Sequence, residues 1–258
     1  MEVRKEKVYE YFPSYLENND YFLEMFQHLS DGFEKLNVTK QKGGYYFFTP
    51  FNMPFFEYFP FALYVSKTGT IDMCSEINAY VRANGHLIEN RSKTTILIEK
   101  DEDGSYSVST RKIEIPSSPL VTSSQKKQSF EKRKYSSSGA LRQYTIEEYQ
   151  PQDINLYDDD FMIWNKDVNV SKSSVYHYLS TDDAIVCEKT YDSDLGGIEF
   201  CPNCEEKKYY VTYKDGEEAS KIEVNDTLYQ SYMDRYYDVV YDEKYVSKES
   251  FKKLNKTI

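Results

Sequence analysis

Lys208-Tyr209-Tyr210-Val211-Thr212-Tyr213, followed at once by Lys214-Asp215-Gly216-Glu217, is the stretch on which the reading of the fold turns. Its residues alternate and are rich in the aromatic and β-branched types that suit a pleated surface, so it predicts a strand. The Asp-Gly pair after it predicts a tight reversal, with 221–224 as the returning strand. Upstream, 176–179, 184–191 and 197–201 read as further strands separated by Asp- and Gly-rich turns. The second half of the chain is therefore expected to be mainly antiparallel β.

Cys201-Pro202-Asn203-Cys204 stands directly before this strand. A C-x-x-C turn leading into a strand is half of a zinc ribbon, where two thiolates one turn apart hold the same tetrahedral ion. Two more ligands are needed, and the nearest soft candidates are Cys187 and His177. The resulting order differs from the paired knuckles of a ribbon, so two alternatives stay open. Cys187 reads equally well as a small buried residue of Ala184-Ile185-Val186-Cys187, and Cys201 and Cys204 as free thiols or a redox pair. The candidate metal ligands are thus Cys201, Cys204, Cys187 and His177, with structural zinc as the candidate cofactor.

Working back toward the N-terminus, Tyr21, Phe22, Met25, Phe26, Leu29, Phe33 and Leu36 recur at three- and four-residue spacing, which predicts helix through most of 6–37. Pro13 interrupts it, and Asn19 or Asp20 caps its second part. His28 beside this stripe reads as a hydrogen-bonded boundary residue. Strands are expected at 45–48 and 61–66, with the apolar loop 50–60 either packed beneath a neighbouring element, the preferred reading, or presenting a sticky surface to a partner. The spacing of Cys74, Ile77, Tyr80 and Val81 predicts a short helix over 72–84 that stops at Gly85. Next, 94–100 and 106–115 alternate on either side of Asp101-Glu102-Asp103-Gly104-Ser105, which is a hairpin signature with an acidic turn.

Ser, Lys, Gln and Pro dominate 116–138, and its charge turns positive through Lys126-Lys127 and Lys132-Arg133-Lys134. Such composition predicts a connection or long exposed loop. In the C-terminal region, Tyr229, Tyr232, Tyr236, Tyr237, Val240 and Tyr241 are spaced for a helix, with a further short helix over 248–256. The architecture expected from these elements is α+β: an N-terminal helix and β-hairpin unit over 1–116, a polar basic connection over 117–142, and a mainly antiparallel β unit with C-terminal helices over 143–258. The two units can pack as one domain.

Composition narrows the function classes. The formal net charge is −11, which opposes nucleic-acid binding because phosphate neutralisation needs surplus Lys and Arg. No apolar run approaches a membrane span, and the charged start has no hydrophobic signal segment, so a cytoplasmic protein of the source cell or of an infected host cell is expected. The five Asn-x-Ser/Thr triplets then carry no glycans. Tyrosine accounts for 26 residues against a single Trp, so many rings must lie half-exposed with their hydroxyls toward water or a partner. The same bias suits an AT-rich genome such as that of a virus, phage or low-GC bacterium.

Catalytic signatures are sparse. There is no Gly-rich phosphate loop and no nucleophile elbow. Cys74 with His86, or Cys204 with His177, are the available thiol–imidazole pairs. A metal-dependent nuclease is the enzyme alternative, using Asp158-Asp159-Asp160 and a Glu-x-Lys spacing within Glu205-Glu206-Lys207-Lys208. The functional expectation is nevertheless a non-enzymatic protein-binding or assembly protein, such as an adaptor, inhibitor or acidic mimic, acting through a tyrosine-rich acidic surface. Its expected partner is a protein, with a basic one the charge-matched choice and a homo-oligomer a further possibility.

Overall fold

A computed structural model describes residues 1–49, 61–83, 86–117, 123–149, 152–155, 170–191 and 205–254. It is predominantly β, with 56% of the chain in strands and 22% in helices. This corrects the α+β expectation and its N-terminal helical unit. Contacts divide the chain into two units, one of Met1–Glu99, Val108–Gln128 and Pro151–Lys166, the other of Lys100–Ser107, Ser129–Gln150 and Asp167–Ile258.

The first unit is an antiparallel meander. Its strands follow the chain: β1 (Glu2–Arg4), β2 (Lys35–Gln41), β3 (Gly44–Phe48), β4 (Phe61–Ser66), β5 (Ile71–Ala83) and β6 (His86–Lys100) are each hydrogen-bonded to the next. Most of β7 (Tyr106–Ser117) and the start of β8 (Ser123–Tyr135) belong to it as well, with β10 (Gln152–Asn155) antiparallel to β8. Alternation puts Phe47, Leu63, Met73 and Ile96 in one cross-strand row, and all four are fully buried. Over that row lies α1 (Asp20–Leu29), whose Phe22, Phe26 and Leu29 point inward one turn apart. Asn19 caps it by accepting from the Phe22 amide at 2.9 Å. Two 3-10 turns, Lys5–Tyr11 and Ser14–Leu16, complete the cover, with the Phe12 ring edge-on to Phe22 and Phe26 at 4.9 and 5.0 Å.

Three local expectations yield to this packing. The helix expected through 6–37 is confined to Asp20–Leu29, because Gly32 takes φ +82 and Leu36 turns into β2. The helix expected over 72–84 is β5, paired with β6 from Ile71↔Ile98 to Ala83↔His86. Over 71–75, where the burial of β5 is described, Ile71, Met73 and Ser75 are buried, a period of two that overrides the helical spacing read from Cys74 and Ile77. Within the polar stretch 116–138, Ser123–Tyr135 forms β8, since a strand that need not bury both faces can carry the composition of a loop. The hairpin around Asp101-Gly104 forms as expected, with Gly104 at φ +88 and its amide on the Asp101 carbonyl at 3.0 Å.

The second unit has the strand order β8 (from Ser129), β9 (Leu141–Tyr149), β11 (Val170–Tyr178), β12 (Asp183–Thr190), β13 (Glu205–Lys214) and β14 (Glu217–Glu223), all antiparallel. The β13–β14 reversal has Asp215 at φ 55 and Gly216 at φ 82, the two positive angles of a type I′ turn. After β14 the chain enters a single helix, α2 (Asp226–Leu254), in place of the two expected. Tyr232, Met233 and Tyr236 pack on Ile185, flanked by Leu179, Tyr210, Val224, Tyr229 and Val240. Among the described residues no helix is long and apolar enough to cross a membrane.

Candidate functional site

The sheet of the second unit has two unlike faces, and His177 and Cys187 lie on the one under α2. His177 sits on β11 opposite Ile185, and Cys187 lies two residues further along β12, so both side chains share the helix side. The His177 ring meets Tyr236 edge-on at 4.8 Å, and its buried Nδ1 has no hydrogen-bond partner. Burial lowers its pKa to about 4, with Lys134 adding repulsion. Cys187 is half-buried; burial pushes its thiol up, and Glu206 beside it reinforces the shift. It is therefore a protonated thiol at neutral pH, poorly suited to nucleophilic attack. Cys201 and Cys204 lie outside the described residues, as do Asp158, Asp159, Asp160 and the loop 50–60. Among the described residues no three His, Cys, Asp or Glu side chains gather as a metal site requires.

The Glu-x-Lys spacing resolves into two pairs on opposite faces of β13. Glu205 and Lys207 pair at 2.8 Å on one side. On the helix side, Lys208 bonds Glu206 at 3.0 Å and Asp226, in the first turn of α2, at 2.7 Å. Lys189 reaches Glu206 at 3.1 Å, and the Tyr229 ring lies 5.0 Å from the Lys208 ammonium. The Lys208 hydrogen bond, together with Lys189, holds the Glu206 carboxyl below its ordinary range. Each charge in this group is already matched, which fastens the start of α2 to the sheet.

The opposite face is where the tyrosines collect. Register carries one row from Arg133 on β8 through Tyr144 on β9, Tyr176 on β11 and Val186 on β12 to Tyr209 on β13. The next row includes Tyr178 and Ala184 with Val211, and Tyr213 stands beyond it. Centroids of Tyr144 and Tyr176 are 5.7 Å apart, those of Tyr176 and Tyr178 6.4 Å, and those of Tyr178 and Tyr213 6.0 Å. Strands either side of β12 are separated by roughly twice the ~4.8 Å interstrand spacing. The Tyr178 and Tyr213 rings must therefore lean together over β12, and their hydroxyls come to 3.5 Å.

That lean explains why Ala184, Val186 and Val211 are 0% exposed although the unit's described helix lies on the other side. Small residues form the floor and half-buried tyrosines the roof. Cations pin the edges: the Arg133 guanidinium lies 4.1 Å from the Tyr144 ring centre, and the Lys221 ammonium 4.4 Å from that of Tyr209. Glu131 bonds Arg133 at 2.7 Å and accepts from the Tyr144 hydroxyl at 2.9 Å, while Glu188 holds Lys221 at 2.6 Å. Burial pushes the Tyr176 and Tyr178 hydroxyls up, so both remain neutral. The face offers rings, hydroxyls and fixed ion pairs.

Sequence reasoning identified the tyrosine surplus without locating this face. The signal was present in the two-residue spacing of Tyr176 and Tyr178 and in the strand of Tyr209 and Tyr213, but the cross-strand rows needed the register. No protein-family model, curated protein or solved structure matches the chain.

Proposed function

We propose that this chain is a non-enzymatic binding protein whose contact surface is the tyrosine face of its second unit. One observation carries the proposal: five half-buried tyrosines, held by Arg133, Lys221 and each other, cover the sheet face opposite the one on which the unit's described helix packs. Rings already fixed by neighbours lose little freedom on binding, and each presents a large area with a polar tip. A protein partner fits such a surface, and the net charge of −11 favours one with basic character.

The test is capture of partners by the tagged chain in extracts of its source, comparing wild type with Tyr176→Ala/Tyr213→Ala. The expected result is loss of the captured protein while circular dichroism and the remaining ion pairs are preserved. Capture that survives the substitutions would remove the tyrosine face from the function.

The nuclease reading has one observation in its favour, the shared face of Glu206 and Lys208 on β13. Their mutual ion pair and the Asp226 bond leave neither group free to activate water. Cleavage of DNA or RNA with magnesium or manganese that disappears in Glu206→Gln would favour it over binding. The zinc reading of Cys201 and Cys204 rests on their sequence spacing.

A further inference from the structure

We infer that the outer edge of β14 receives an extended, basic segment of a partner protein as an added strand. The inference rests on the binding role proposed above and places a second contact beside the tyrosine face. In the described sheet β14 is the last strand, bonded to β13 on one side only, and six of its seven residues are exposed. An edge of this kind presents a row of unpaired amides and carbonyls, the template for strand addition.

The side chains select the occupant. Among the described residues Glu217, Glu218 and Glu223 have no ion-pair partner, while the single cation of the strand, Lys221, is turned inward onto Glu188 and Tyr209. Glu218 and Glu223 lie on the tyrosine side, opposite Tyr213 and Tyr209. On the helix side, Ile222 lies opposite Tyr210 yet remains 59% exposed, and Leu228 in the first turn of α2 is equally exposed. A second copy would bring three more glutamates to the same edge, and like charges on neighbouring strands repel. A strand with Lys or Arg on one face and apolar residues on the other meets both requirements. Its cations face Glu218 and Glu223, and its apolar side chains cover Ile222.

The probe is a fluorescent heptapeptide of alternating lysine and valine, titrated into the full chain at moderate ionic strength. Its control has the same sequence with alternate backbone nitrogens methylated, which keeps the charge and removes the ladder bonds. The expected results are binding at least about tenfold tighter than the methylated control, slowed amide exchange within 217–223, and a similar loss in both Glu218→Lys/Glu223→Lys and Ile222→Ser. Equal binding of the methylated peptide would overturn the inference, since attraction to an acidic surface would then suffice. So would protection elsewhere, or a chain that sediments as a dimer with 217–223 already protected. Failure here, with face-dependent capture intact, removes the edge contact and leaves the tyrosine face standing.

Discussion

His177 shows how one residue can read two ways. Its place upstream of Cys187, Cys201 and Cys204 makes it a metal candidate, and its pairing puts it beneath α2 against Tyr236 with an unpartnered Nδ1. The folded state resists protonating it, holding the pKa near 4 against an ordinary value of 6.5. A depressed histidine pKa means the unfolded chain takes the proton first. Stability from this group is therefore full above about pH 6.5 and declines as pH falls toward 4, by on the order of 3 kcal/mol at most. Urea unfolding of wild type and His177→Leu across pH 7 to 4 checks this. The wild type should lose stability faster, and parallel curves would contradict the burial account. Cys187 reads at the same scale: it lies beside a strand-borne ion pair that sequence spacing brought close without specifying its partner on α2, Asp226.

At the scale of elements, the legible parts of the fold were those with two local signals. The strand and Asp-Gly turn ending at Glu217, and the hairpin around Gly104, each combine alternation with a residue able to take positive φ. β5 had only spacing, and a run containing Cys74, Ile77, Tyr80 and Val81 satisfies a helix as well as a strand until its neighbours β4 and β6 are known. β8 had neither signal, because Ser123–Tyr135 carries Ser, Lys and Gln where an amphipathic strand would alternate apolar residues. Helix α2 depends on both its cap and its buried stripe. Asn225 accepts from the Leu228 amide at 3.0 Å, so Asn225→Ala should cost about 1 kcal/mol. Met233→Ala, which removes a side chain packed on Ile185, should cost about 2–5 kcal/mol. Thermal unfolding monitored by circular dichroism separates the two, and a smaller loss for Met233→Ala than for Asn225→Ala would argue against α2 as the cover of that face.

For the whole molecule, the division of the chain is not a simple cut. Each unit draws on three separate segments, and β7 and β8 supply residues to both. A fragment of residues 143–258 loses β8, on which β9 pairs from Ser129↔Glu148 to Tyr135↔Leu141, and loses Arg142, whose Nε bonds Glu243 on α2 at 3.0 Å. It should therefore lack the cooperative unfolding of the intact chain, and a fragment that melts as sharply as the parent would contradict this. The tyrosine face was invisible in composition for the same reason, since Tyr144, Tyr176 and Tyr213 come from three strands that meet only when the register is formed.

The most direct measurement of the binding claim is hydroxyl-radical footprinting of the intact chain, alone and with its captured partner. Tyr237 and Tyr241 on the outer side of α2 serve as internal references, being exposed away from the tyrosine face. With the partner bound, Tyr144, Tyr176 and Tyr213 are expected to become protected while Tyr237 and Tyr241 react as before. Protection of Tyr237 and Tyr241, with the three sheet tyrosines unchanged, would contradict it.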